Sequence, residues 1–301
     1  MTLAVPTPSR PYARIRSTRL PSVTTVIGEL DKPGLSWGAA RETALFAVHH
    51  RDRWEDLEPV AAVDVLRKHH RGLWDSAAAW GTLTHLVIEH FAAGHDVTVA
   101  EVVEHVQATD RNAQLWRDEP LGDLVEKALG YVVGAEKWWE EFRPEITASE
   151  VVVRAPGLCI GTTDLRARVC AQWPSDGFVG EQDVLLDAKT TGRKEETKGY
   201  YVDSWSLQLH AYACATEVVH YEATEDEKGV HVEEVGTSPW APPERLAILH
   251  LRGGETCGFY EIPFSLATYN RFTDLCALHE WRKGLPKIPQ RIERAEEGAR
   301  G

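Results

Sequence analysis

After Pro144 the chain stops reading as helix and turns into strands, and this change constrains the fold more than any other feature. "EVVVRAPGLCIGTTDLRARVCAQW" (150–173) gives two extended runs joined at "APG". "FVGEQDVLLDAKT" (178–190) gives a third, introduced by the turn-forming "PSDG". In that third strand the apolar run 184–186 leads into Asp187 and Lys189, two residues apart. Alternate residues of a strand project to one face, so these two side chains project together. A buried carboxylate and amine are costly unless paired or bound to something charged. The spacing alone fits either a salt-bridged strand end or a reactive pair.

Upstream, 21–32 reads as a short helix entered through Ser22 or Thr24 and stopped before Pro33. Helical spacing follows over 35–50, 59–74 and 75–94, the last capped by Asp75 or Ser76 and closed by Gly94. The segment 98–142 is acidic and helical, with a break near Pro120. Downstream of the third strand come a helix over 203–218 and an acidic loop or hairpin insertion. Two strands around "RGGE" and a final helix over 265–283 complete the pattern. The expected fold is α/β, a central mixed β-sheet flanked by helices with a helical N-terminal half. The expected organisation is a basic extended arm (1–20), a mainly helical region (21–145), a core (146–285) and a charged tail (286–301).

A net charge of −13 excludes adhesion to nucleic acid by the whole surface, and leaves only a local basic patch or metal ions for that role. Arg10, Arg14, Arg16 and Arg19 form one basic stretch, and Arg193, Lys194 and Lys198 another. The five cysteines form no C-x-x-C pair, which argues against a disulfide framework and a zinc ribbon and for a reducing cytoplasm. No apolar run is long enough to span a bilayer, and the first residues lack a secretory h-region, so no membrane partner is expected.

The Asp187–Lys189 pair has company. In "GTTDLRARV", counting by twos puts Asp164, Arg166 and Arg168 on one face. Pairing of the two strands would bring Asp164 beside Asp187, and the mutual repulsion of two carboxylates is relieved by a divalent cation. Oxygen ligation of this kind suits Mg²⁺ or Mn²⁺. The following helix carries Trp205, Gln208 and Tyr212 on one stripe, which reads equally as a core helix or as a support for the pair. On the 75–94 helix, His85 and Glu89 sit four apart, away from the apolar face of Leu83, Leu86, Val87 and Phe91. "HLVIEH" is no zinc motif, because His85 and His90 are five apart and do not share a face.

Taken in order, these residues resemble the PD-(D/E)xK nuclease superfamily and, within it, the RecB-type exonucleases, including phage-encoded members. The matching elements are His85 in "GTLTHLVIEH", Glu150 in "ASEVVV", Asp164 in "GTTD", Asp187 and Lys189 in "DAKT", and Gln208 with Tyr212 in "QLHAY". "PSVTT" looks like the family's opening helix. The resemblance implies a restriction-endonuclease-like core and a Mg²⁺-dependent DNA exonuclease acting in recombination, repair or phage DNA processing. It implies Asp164, Asp187, the backbone carbonyl of Ala188 and His85 around the metal, and Lys189 orienting or activating water. Gln208 and Tyr212 would support the site, with Glu150 and Glu89 as further support. Arg166, Arg168, Arg193 and Lys194 are candidates for holding the DNA backbone. DNA is the implied partner, together with a recombination or replication protein. The cysteine pattern of the iron–sulfur members is absent, so no such cluster is expected, and no Walker string occurs. A structure-specific endonuclease and a non-catalytic DNA-binding module of the same fold are the alternatives.

Overall fold

A computed structural model describes residues 20–30, 33–113, 120–191, 203–226, 229–252 and 256–284. The helices are α1 (Val23–Ile27), α2 (Pro33–His49), α3 (Pro59–Ala92), α4 (Val99–Ala113), α5 (Leu121–Phe142), α6 (Asp203–Ala213) and α7 (Leu266–Gly284). The strands are β1 (Glu145–Ala155), β2 (Cys159–Gln172), β3 (Val179–Thr191), β4 (Glu217–Asp226), β5 (Gly229–Pro239), β6 (Arg245–Arg252) and β7 (Thr256–Glu261). They form one sheet in the order β5-β4-β1-β2-β3-β6-β7. β3 and β6 run parallel and the other neighbours are antiparallel, so the sheet is mixed and helix-flanked, as the sequence pattern predicts.

The central strands explain the continuous apolar runs. On one face Leu165, Ala167, Val184, Leu186, Ala188, Ala247 and Leu249 pack with Leu83 and Val87 of α3 and with Tyr131 and Trp138 of α5. On the other, Leu185, Leu246 and Ile248 pack with Leu209 and Tyr212 of α6, Phe272 of α7 and Val23 of α1. A strand covered on both sides has no wet face, so it loses the polar alternation of a half-exposed strand. Asp187 enters this setting: its side chain points to the α6 side and is 1% exposed.

Two expectations change, and one pair of alternatives is decided. Residues 59–92 form one helix, so Asp75 and Ser76 lie within it rather than at its start. After Pro59 no proline interrupts the segment, and Asp or Ser inside a helix costs only fractions of a kcal/mol, about 0.7 or less each. The acidic insertion is a hairpin, β4–β5, that extends the sheet along β1, giving seven strands where five had clear sequence signals. Its glutamates suit an edge, where charge discourages further strand addition. Finally, Glu150 lies in the middle of β1 rather than opening it, and it interrupts the regular strand with φ 51°.

Candidate metal and catalytic centre

Strand register assembles the centre. Leu165 pairs with Leu186, so the next position sets Asp164 opposite Asp187. Ser149 and Val151 pair with Leu165 and Thr163, so Glu150 falls opposite Asp164 on the other side of β2. The β1–β2 register slips between Ile146 and Ala148. Two residues past Ala148, Glu150 takes its left-handed conformation, which costs a residue with a Cβ about 1–3 kcal/mol.

The Glu150 carboxylate meets His85 and Asp164. His85 Nδ1 is 3.5 Å from Asp164 Oδ1 and 3.8 Å from Glu150 Oε1. One ligand atom from each of the three residues lies within 4.8 Å of the others, a spacing that a single cation can bridge. Asp164 is held for this role, because the Ala188 N–H donates to its Oδ2 at 2.7 Å and leaves Oδ1 turned to His85. Glu89, one helical turn beyond His85, is half-buried, and burial raises its pKa while His85 lowers it.

Asp187 belongs to a second, deeper set. Its Oδ1 accepts from Gln208 Nε2 at 2.9 Å, and its Oδ2 faces Lys189 Nζ in an ion pair. Lys189 Nζ donates to Gln208 Oε1 at 3.2 Å, so the amide bridges acid and amine. Gln208 Nε2 also lies 3.3 Å from the Tyr212 hydroxyl oxygen. The Tyr212 ring in turn rests against Gly161, where any Cβ would come within 2.6 Å of Cε1. The glycine of "GTTD" therefore serves the tyrosine of "QLHAY". A glycine inside a strand is the sequence signal for such a close approach.

His85, Glu150 and Asp164 offer ligand atoms within one cation's reach, while Asp187 accepts from Gln208 through Oδ1 and keeps a buried Oδ2 that has the Lys189 ion pair and no hydrogen bond. Ala188 meets Asp164 through its N–H. Arg166 is engaged within the fold. Its Nε and Nη2 grip both oxygens of Asp183, its Nη1 donates to the Ala241 carbonyl at 2.8 Å, and its guanidinium stacks on Trp240. Arg168 pairs with Glu181 four residues along β2 from Asp164, about 13 Å away at the usual strand rise. Arg193, Lys194 and the basic 1–19 stretch lie outside the described residues.

Electrostatics follow from this packing. The Asp164 charge, with help from Glu150, raises the His85 pKa to about 9 against the opposing effect of burial. Burial pushes Asp187 up to about 7, the Asp164 charge adds to this, and Lys189 and His85 hold it back. His85 thus carries a proton at neutral pH where a cation would sit. A raised pKa also stabilises the fold below about pH 6.5, an effect withdrawn as pH climbs through about 9.

No family model and no curated relative matches the chain. Among fourteen solved chains that match is one described as the crystal structure of SSO0001. It is 14% identical, with a TM-score of 0.26, over 66% of this chain and 85% of that one.

Two outcomes are expected from this geometry. Mn²⁺ affinity, read by calorimetry or electron spin resonance, should rise with pH from 6 to 9, because the ion must displace the His85 proton. The slope should approach about tenfold per pH unit, and His85→Gln should flatten it above pH 7. Glu150→Gly should melt no lower than the parent, since it releases the left-handed strain, and yet bind Mn²⁺ more weakly. A clear fall in melting temperature would contradict the strain.

Proposed function

We propose that this protein is a metal-dependent DNA exonuclease that hydrolyses phosphodiester bonds. One observation carries the reading: α3, β1, β2, β3 and α6 each bring their motif residue, His85, Glu150, Asp164, Asp187 with Lys189, and Gln208 with Tyr212, to one end of the sheet. A buried carboxylate with a raised pKa and a charged histidine gathered in this way are a pattern of reactive sites more than of stable cores.

The donor set fits a hard dication, with two carboxylate oxygens and one imidazole nitrogen inside 4.8 Å. When bound, Mg²⁺ or Mn²⁺ supplies Lewis-acid stabilisation of a phosphoryl oxygen and makes water more acidic. The protein's own groups do the rest. Asp164, fixed by the Ala188 amide, and Glu150, fixed by its backbone, set the ligand positions. Lys189 Nζ faces the space beside Asp187, where it can orient an attacking water and balance charge growing on the phosphate. Asp187 Oδ2, with a pKa near neutrality, can receive the water's proton. Gln208 keeps acid and amine in register, and Tyr212 keeps Gln208 in place. The preference for exonuclease over endonuclease rests on the subfamily resemblance.

End-labelled linear DNA incubated with Mg²⁺ or Mn²⁺ tests the proposal. Shortening is expected, and EDTA should abolish it. Asp187→Asn should remove cleavage while leaving the melting temperature intact, and Lys189→Ala should slow it about 10²–10³-fold. Covalently closed circular DNA should survive, and its cutting would move the assignment to an endonuclease. Retardation of DNA without degradation, indifferent to EDTA, would instead make the protein a binding module.

A further inference from the structure

The face that carries Lys189 continues beyond it. In the parallel β3–β6 pair, His250 is the partner of Lys189 and Arg252 the partner of Thr191. Thr191 Oγ1 lies 3.1 Å from His250 Nε2, and Trp205, near the start of α6, meets the His250 ring edge-on at 5.4 Å between centroids. Tyr260 of β7 closes the other side. Its centroid is 6.4 Å from that of His250 and 5.9 Å from the Arg252 guanidinium carbon, and Arg252 Nη2 donates to its hydroxyl.

Exposure divides this cluster into base and platform. His250 and Arg252 are 6% and 9% exposed, whereas Tyr260 is 38% exposed. The tyrosine lies back across β7 because Gly258 has no side chain: a Cβ there would meet Tyr260 Cε2 at 2.4 Å. Burial, with the neighbouring Arg252 charge, lowers the His250 pKa to about 4, so the imidazole is neutral and the positive charge belongs to Arg252. A planar guanidinium stacked beside an aromatic face suits a phosphate and a base together. It also carries five donors, so bonding to Tyr260 is compatible with bonding to a phosphate.

We infer that Arg252 and Tyr260, backed by His250 and Trp205, form a nucleotide-gripping subsite that holds the substrate strand away from the scissile bond, with a phosphate at Arg252 and a base stacked on Tyr260. The inference rests on the nuclease reading only in placing the reacting phosphate at Asp187 and Lys189. Thr191 lies four residues along β3 from Asp187, about 13 Å, which is roughly three or four stacked nucleotides. Stacking is indifferent to base identity, so the grip is independent of sequence.

Anisotropy of a labelled single-stranded oligonucleotide, titrated over a KCl series with Ca²⁺ in place of Mg²⁺ and again in EDTA, provides the test. Tyr260→Ala should weaken binding about 5- to 100-fold, and Tyr260→Phe should retain most of it. Arg252→Gln should reduce the slope of log affinity against log salt by about 0.7, the value of one lost phosphate contact on a single strand. Should Arg252→Gln fail to fold, the half-exposed Tyr260 pair decides alone. Parental affinity in Tyr260→Ala together with a parental slope in Arg252→Gln overturns the subsite and leaves the nuclease reading standing. A parent protein that binds in neither buffer overturns both.

Discussion

Burial of the Asp187 carboxylate is the constraint around which the centre is arranged. A strand covered on both faces offers this group no water, so its partners must come from the fold. Lys189 supplies the charge and Gln208 the hydrogen bond. Gln208 reaches Asp187 because α6 lies in the crossover that joins β3 to its parallel neighbour β6, on the face where Leu209 and Tyr212 meet Leu185 and Ile248. Tyr212 can lie so close only because position 161 is glycine. A single buried charge thus links a strand, a helix and a glycine on the next strand. Loss of Gln208 would remove that carboxylate's side-chain hydrogen bond, and loss of Lys189 would remove its counter-charge.

The outer trio obeys a different logic. Glu150 and Asp164 face one another across β2–β1 with His85 between them, and Asp187 lies directly behind. Three acids against one imidazole and one lysine leave a negative excess, which the structure meets by keeping a proton on His85 and by raising Asp187. A core selected for stability alone would replace such a group with apolar residues. It would not hold a glutamate at φ 51° to aim its carboxylate into the cluster. Local strain combined with unbalanced charge is expected where a cation completes the arrangement, as the proposed reaction requires.

Much of this was legible because strands repeat every two residues. Asp187 and Lys189 share a face by counting alone, and Asp164 follows once the "PSDG" turn pairs the second strand with the third. The periodicity of α6 likewise placed Gln208 and Tyr212 together. What the counting missed depends on neighbours distant in sequence. Arg166 shares the face of Asp164, as expected, but its charge is consumed by Asp183 and the Ala241 carbonyl. No local signal in "ASEVVV" marks a left-handed glutamate, which stands two residues past the register shift against β2. The helix boundary at Asp75 was misread for a similar reason: capping residues mark a start only where the chain before them is not already helical.

The parallel pairing gives the face its direction. Among the described residues, β3–β6 is the one parallel pair of strands, and ligands of α/β sheets bind beyond the carboxyl ends of such strands. Asp187, Lys189 and Thr191 lie toward that end of β3, and His250 and Arg252 end β6 beside them. The opposite edge of the sheet carries the hairpin with Glu222, Glu233 and Glu234, on a chain of net charge −13. A polyanion is repelled by an acidic surface, and among the described residues Lys189 and Arg252 place positive charge at this end of the parallel pair. An acidic body is therefore compatible with the proposed nucleic-acid substrate, whose strand it would steer toward that end.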